Sequence, residues 1–198
     1  MIILFVWFIL MIERSEIMNE FFNMLVGSFD NKEQFELMQK QDKEFPYCKH
    51  INTLCNEKII GLPKDFQGQF MLEESYYQTE KGNQTSPRLF LFVKNNDDII
   101  LTSYEMPDGY TKETLTYQNL TQINYQDLKV STKFTPAVYK KNGDYYEGGS
   151  VSQFSPVLQF TLYEKFSTDC LEVSETMEVN GKRTFGYDEP ILYKKIRD

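Results

Sequence analysis

The chain has a single histidine, His50, and a single tryptophan among its 198 residues. Its three cysteines, Cys48, Cys55 and Cys170, form no CxxC pair. A structural zinc site needs four Cys or His ligands at tight spacing, and Cys170 lies far along the chain from the others, so no metal site is expected. An odd cysteine count does not make a disulfide framework. It points to a reducing compartment, the cytoplasm or an organelle stroma. Basic runs are also missing: the longest are the pairs Lys140–Lys141 and Lys194–Lys195, in a chain of net charge -8. A polyanion partner needs a basic surface, so no nucleic acid is expected to bind. GxSxG, P-loop, GxGxxG and HExxH motifs are absent. With one histidine, a Ser-His-Asp triad would have to use His50, and nothing in the sequence assigns one.

Long apolar runs are scarce as well. Ile2–Ile12 is too short to span a bilayer, and it has neither a basic leader nor a small-residue cleavage site. Glu13, Arg14, Ser15 and Glu16 follow it directly. Residues 1–17 are therefore expected to be an extension ahead of a second start at Met18, with a weak membrane anchor or uncleaved signal as the second reading. Residues 18–198 are expected to form one domain.

What the chain does have is aromatic side chains: 15% of residues, from 16 Phe and 13 Tyr. Such residues favour pleated, half-buried surfaces. Apolar spacing predicts helix over residues 19–40, broken at Gly27, with Ser28 or Asp30 capping the second piece. A loop with Pro46 follows. From about residue 65 the period becomes two: Phe66, Gly68, Phe70, Leu72, Glu74 and Tyr76 share one face of a long strand. Further strands are predicted at Arg88–Lys94, Asp98–Met106, Asp127–Phe134, Pro136–Lys141, Tyr145–Gln153, Val157–Phe166, Cys170–Val179 and Ile191–Ile196. Turn signals separate them, strongest at Asn142–Gly143–Asp144 and Asn180–Gly181. The fold expected is mainly β: an antiparallel calycin- or lipocalin-like barrel with N-terminal helices.

Candidate site residues are polar groups on apolar faces. Glu74 shares a face with Phe70, Leu72 and Tyr76, and Glu175 with Leu171, Val173, Met177 and Val179. A carboxylate facing an apolar interior is costly unless paired. It can meet a ligand cation or N–H group, pair with an internal arginine, or turn outward at a bulge. Arginine is scarce, and Arg88 and Arg183 are candidates to hold a ligand carboxylate. Tyr76 and Tyr187 are candidate walls for a flat ligand, or ordinary core residues.

Several motifs, in order, resemble the CpcT/CpeT-type phycobiliprotein chromophore lyases. They are Gly27 with Asn31 and Gln34, His50–Ile51, Gly68 and Phe70 with Glu73–Glu74–Ser75–Tyr76, Pro87–Arg88, Ser174–Glu175 and Gly186–Tyr187–Asp188. The resemblance runs from about residue 20 to the C-terminus. Three departures stand out: Glu74 replaces a glutamine, one arginine remains of two, and Tyr145–Gly148 lacks the family's cysteines. The resemblance implies a calycin barrel that cradles an open-chain tetrapyrrole and delivers it to a cysteine of an acceptor protein. The bilin would be the substrate, with no further cofactor. On that reading Glu74 and Asp188 are the catalytic candidates, meeting pyrrole N–H groups. Arg88 holds a propionate, Tyr76 and Tyr187 line the ring system, and Glu175 and Arg183 complete the ligand site. The alternatives are a non-enzymatic calycin carrier of another small hydrophobic ligand, or a filled barrel acting as an interaction module; a homodimer stays open.

Overall fold

A computed structural model of the protein describes residues 16–79 and 82–197. The expected extension lies largely outside these residues. No helix among them is long and apolar enough to cross a membrane. Helix α1 covers residues 16–25 and turns Phe21, Phe22, Met24 and Leu25 into the core. The chain continues as β1 (Gly27–Asp30), α2 (Lys32–Lys40), β2 (Tyr47–Leu54), β3 (Ile59–Ile60), β4 (Gln69–Thr79) and β5 (Gly82–Thr85). Next come β6 (Arg88–Asn95), β7 (Asp98–Tyr104), β8 (Ile123–Asn124), β9 (Ala137–Asn142) and β10 (Tyr145–Ser155). The last are β11 (Leu158–Phe166), β12 (Cys170–Val179), β13 (Lys182–Phe185) and β14 (Ile191–Lys195).

Ten strands close a barrel in the order β11–β10–β9–β7–β6–β4–β2–β1–β14–β12, with β12 returning to pair β11. Every pairing around the ring is antiparallel. Closure leaves no exposed sheet edge in the ring. β5 and β13 fold back as short flaps on β4 and β12. The expected fold, an antiparallel calycin-like barrel with N-terminal helices, is what the chain adopts. The Asn180–Gly181 hairpin has both residues at positive φ, 52° and 72°, the conformation a two-residue turn of this kind requires.

Three local expectations are corrected. Gly27 does end α1, at φ 129°, but Gly27–Asp30 then forms a strand rather than a second helix start. Asn31 precedes α2 without capping it. Its buried side chain accepts from the Cys48 amide at 2.7 Å and donates to the Pro46 carbonyl at 2.9 Å, which ties α2 to β2. β2 itself stands where a loop was expected. Asp127–Phe134 is not a strand; only Val130 bridges to Tyr104. That stretch belongs to a strap, residues 105–136, which leaves the ring between β7 and β9.

Two cores result. In the first, α1 plugs one end of the barrel. The fully buried Phe21 ring meets Phe92, Tyr139, Tyr146 and Phe166, with centroids 5.0–5.8 Å apart and mostly edge-to-face. The second lies outside the ring, where the strap lays Leu115 and Leu120 over Phe70, Leu72, Leu89 and Leu91. On β10, Gly148 and Gly149 let neighbouring strands approach closely. A Cβ on either would collide with the Val138 or Leu162 carbonyl.

Phe21→Ala should destabilise the protein by about 3–5 kcal/mol, because the rings around it cannot collapse into the void. Chemical denaturation monitored by tyrosine fluorescence checks this.

Candidate functional site

α1 fills one half of the barrel and leaves the other half open. Along β6, Phe92 meets the plug while Phe90 and Arg88 face a cavity; along β11, Phe166 meets the plug while Leu162 and Phe160 face the cavity. The cavity measures about 340 Å³ and opens at the end opposite α1. Its walls are aromatic and aliphatic, with Phe90, Phe134, Phe154 and Phe160 prominent, and its charged side chains are Glu73, Arg88, Lys112, Glu175 and Glu189.

The floor is polar. On β4 the residues facing inward are Met71, Glu73, Ser75 and Tyr77; Phe70, Leu72, Glu74 and Tyr76 face the strap. His50 on β2 lies opposite Ser75. Its Nδ1 stands 3.4 Å from Glu73, and the Ser75 hydroxyl donates to Glu73 at 3.0 Å. The two side chains are 5% and 15% exposed, so solvent screens them little. Burial works against a charged His50, but the carboxylates of Glu73, Glu175 and Glu164 together outweigh it and raise the His50 pKa. Burial likewise pushes Glu73 up, yet His50, the Ser75 hydroxyl and Arg88 bring it below the usual carboxylate range. The two directions agree, each group favouring the charged form of the other, while the Nε2 of His50 is buried with no hydrogen-bond partner among the described residues.

Beneath the cavity, Glu164 on β11 accepts a hydrogen bond from the buried Tyr139 hydroxyl. Burial, aided by Glu73, pushes the Glu164 pKa up to about 7. Glu175 on β12 is raised by burial and then by Glu73. Arg88 stacks on Phe134 at 5.7 Å and makes no ion pair among the described residues. In the ring, β6 lies diametrically across from β12, so Arg88 and Glu175 come from opposing walls.

Of the sequence candidates, Arg88, Glu175 and Tyr187 line the cavity together. Tyr187 sits at the rim against Phe45, with ring centroids 5.0 Å apart. The other four lie elsewhere. Glu74 faces the strap, where it accepts from the Tyr76 hydroxyl at 2.7 Å and from the Tyr117 amide at 3.1 Å. Burial and that carboxylate push the Tyr76 pKa up to about 12. The Arg183 and Asp188 side chains pair with each other at the surface. Glu73, Glu164 and His50 were missed as site residues, though His50–Ile51 and Glu73–Glu74–Ser75–Tyr76 were visible as motifs. Among the described residues, no cluster of His, Cys, Asp or Glu is arranged to hold a metal ion.

A closed antiparallel barrel, plugged by a helix at one end and open through a charged, aromatic-walled cavity at the other, is a calycin-like barrel architecture. No protein-family model matches the chain, and no curated protein matches it in sequence. Among solved structures it is similar to the T-type phycobiliprotein lyase CpeT from Prochlorococcus phage P-HM1. The match covers 90% of this chain and 97% of that one, at a TM-score of 0.53 and 9% identity. At that identity the likeness is one of fold.

Glu74→Ala should cost about 1–3 kcal/mol by leaving the Tyr117 amide unpaired, and should speed proteolytic cutting within residues 105–136. Limited proteolysis read by mass spectrometry checks it. Glu164 supplies a pH dependence. Its folded pKa of about 7 stands above the ordinary 4.5, so its contribution is fully present below about pH 4.5 and is lost as pH rises towards 7. Glu164→Gln should therefore match the native protein near pH 4.5 and exceed its stability at pH 8 by up to about 3 kcal/mol. Thermal melts across that range measure the difference.

Proposed function

We propose that this protein is a bilin-binding barrel of the chromophore-lyase type: it takes an open-chain tetrapyrrole into the cavity and presents it to a cysteine of an acceptor protein. The observation that carries the reading is the opposed pair Arg88 and Glu175 inside an aromatic-walled cavity. The fold shared with a phycobiliprotein lyase over nearly the whole chain supports it. Arg88, with no ion-pair partner among the described residues, is the group to hold a propionate in bidentate fashion. Glu175 and Glu73 accept from pyrrole N–H groups, and Tyr187 closes over the ring system at the rim. Glu73 thus takes the part expected of its neighbour Glu74.

An open-chain tetrapyrrole exceeds a cavity of about 340 Å³, a size at the small end of ligand pockets. Part of it therefore stays at the mouth, where an acceptor thiolate can reach it. In the transfer, the acceptor thiolate adds to the exocyclic carbon of an ethylidene C=C bond of the tetrapyrrole; the C–S bond forms as the π bond breaks, and its electron pair takes up a proton on the tetrapyrrole. The barrel contributes orientation and a proton source.

Titration of the purified protein with phycocyanobilin tests the reading. A red-shifted, sharpened visible band saturating near one equivalent is expected, and a flat titration overturns it. Binding without labelling of any acceptor subunit would leave a bilin carrier instead of a lyase. Arg88→Gln should weaken binding by about ten- to a hundred-fold through loss of a charge-assisted contact, and Arg88→Glu should weaken it further. Affinities equal to the native protein's would remove Arg88 from the site.

A further inference from the structure

The groups facing the cavity floor come from all around the ring. β2 brings His50 and Cys48, β4 brings Glu73 and Tyr77, β6 brings Arg88, and β9 brings Tyr139. β11 brings Glu164, β12 Glu175 and β14 Tyr193; β7 and β10 face them with Leu101, Ser103, Gly148 and Ser150. The three phenols and the Cys48 thiol are neutral, since burial pushes each pKa up. Three carboxylates remain against two cations, His50 and Arg88. If all ionised, the floor would carry one uncompensated negative charge out of water, which is costly. One carboxyl proton removes that cost.

Geometry narrows where the proton sits. Glu73 is held as a carboxylate by His50 at 3.4 Å and Ser75 at 3.0 Å. Glu164 has the neutral Tyr139 hydroxyl as its hydrogen-bond partner, and Glu175 has no hydrogen bond or ion pair among the described residues.

We propose that the ligand-free barrel stores one proton on the Glu164–Glu175 pair at neutral pH and releases it through the mouth when the ligand's N–H-bearing or cationic portion docks. The O–H bond of the carboxyl breaks, the proton passes to a base in solution, and the freed carboxylate takes the ligand's N–H hydrogen bond or charge. The raised pKa values of both groups agree with this assignment. The exchange step rests on the cavity being the ligand site, whereas the stored proton does not. Binding at the floor is therefore a proton-for-ligand exchange, and affinity rises with pH through the neutral range.

Two measurements test it. Carbon-detected NMR of glutamate-labelled, ligand-free protein, assigned with E164Q and E175Q, should show one of the two carboxyls titrating near pH 7. Complete ionisation of both below about pH 5.5, close to unperturbed glutamate, overturns the stored proton. Calorimetry with phycocyanobilin at pH 6, in phosphate and in imidazole, should then give about one proton released per bilin bound, and none for the E164Q/E175Q double variant. Binding with buffer-independent heat overturns the exchange while leaving the bilin site intact. Absence of both heat and absorbance change removes the bilin site, and the NMR titration still decides the stored proton.

Discussion

A carboxylate survives inside a barrel when a counter-charge is held against it, and here that task falls to His50. The His50–Glu73 pair spans β2 and β4, whose register sets His50 opposite Ser75 and brings Glu73 within 3.4 Å. Slipping that register by one residue would turn His50 out to the opposite face and leave Glu73 unpaired in a low-dielectric interior. The pair therefore fixes the strand alignment and the electrostatics of the cavity together. Arg88, in register with Glu73 on β6, adds the second positive charge.

Several of the sequence signals turn out to be joints. Gln34 donates to the Pro190 carbonyl at 2.9 Å and accepts from the Leu192 amide at 2.8 Å, which pins α2 to β14. Asn31 does the same between α2 and β2. These polar contacts fix the α2 side of the structure, next to the rim where Phe45 supports Tyr187. Fold-determining and cavity-facing residues are thus interleaved along the chain.

The barrel was legible because its hairpins carry explicit turn chemistry and its strands alternate. The site was only half legible, and the reason lies in β4. Alternation identifies a buried face on the assumption that the other face is wet. On β4 both faces are buried, one by the barrel core and one by the strap, so Phe70, Leu72 and Glu74 read as the interior while the cavity takes Glu73 and Ser75. Glu175 was legible because its outer neighbours, Ser174 and Thr176, are polar; Arg88 stood out through the scarcity of arginine, although Leu89 and Leu91 beside it are buried under the strap, and Tyr187 through the Gly186–Tyr187–Asp188 motif. Arg183 and Asp188 misled because a charged pair on a surface turn looks, in one dimension, like two free groups. β2 was hidden by its polar composition: Lys49, His50, Asn52 and Thr53 alternate with few apolar residues.

The strap also makes the barrel mechanically lopsided. The β4–β6–β7 side is braced on the outside by a second core, whereas the β10–β11–β12 side meets solvent directly, with Val151 and Tyr163 exposed, and contains the Gly148–Gly149 pair. A hoop stiffened along one arc flexes along the other. Arg88 rides on the braced arc and Glu175 on the yielding one. On the proposed function, widening of the cavity to admit a ligand would displace the Glu175 wall more than the Arg88 wall, making Arg88 the stationary reference for the ligand.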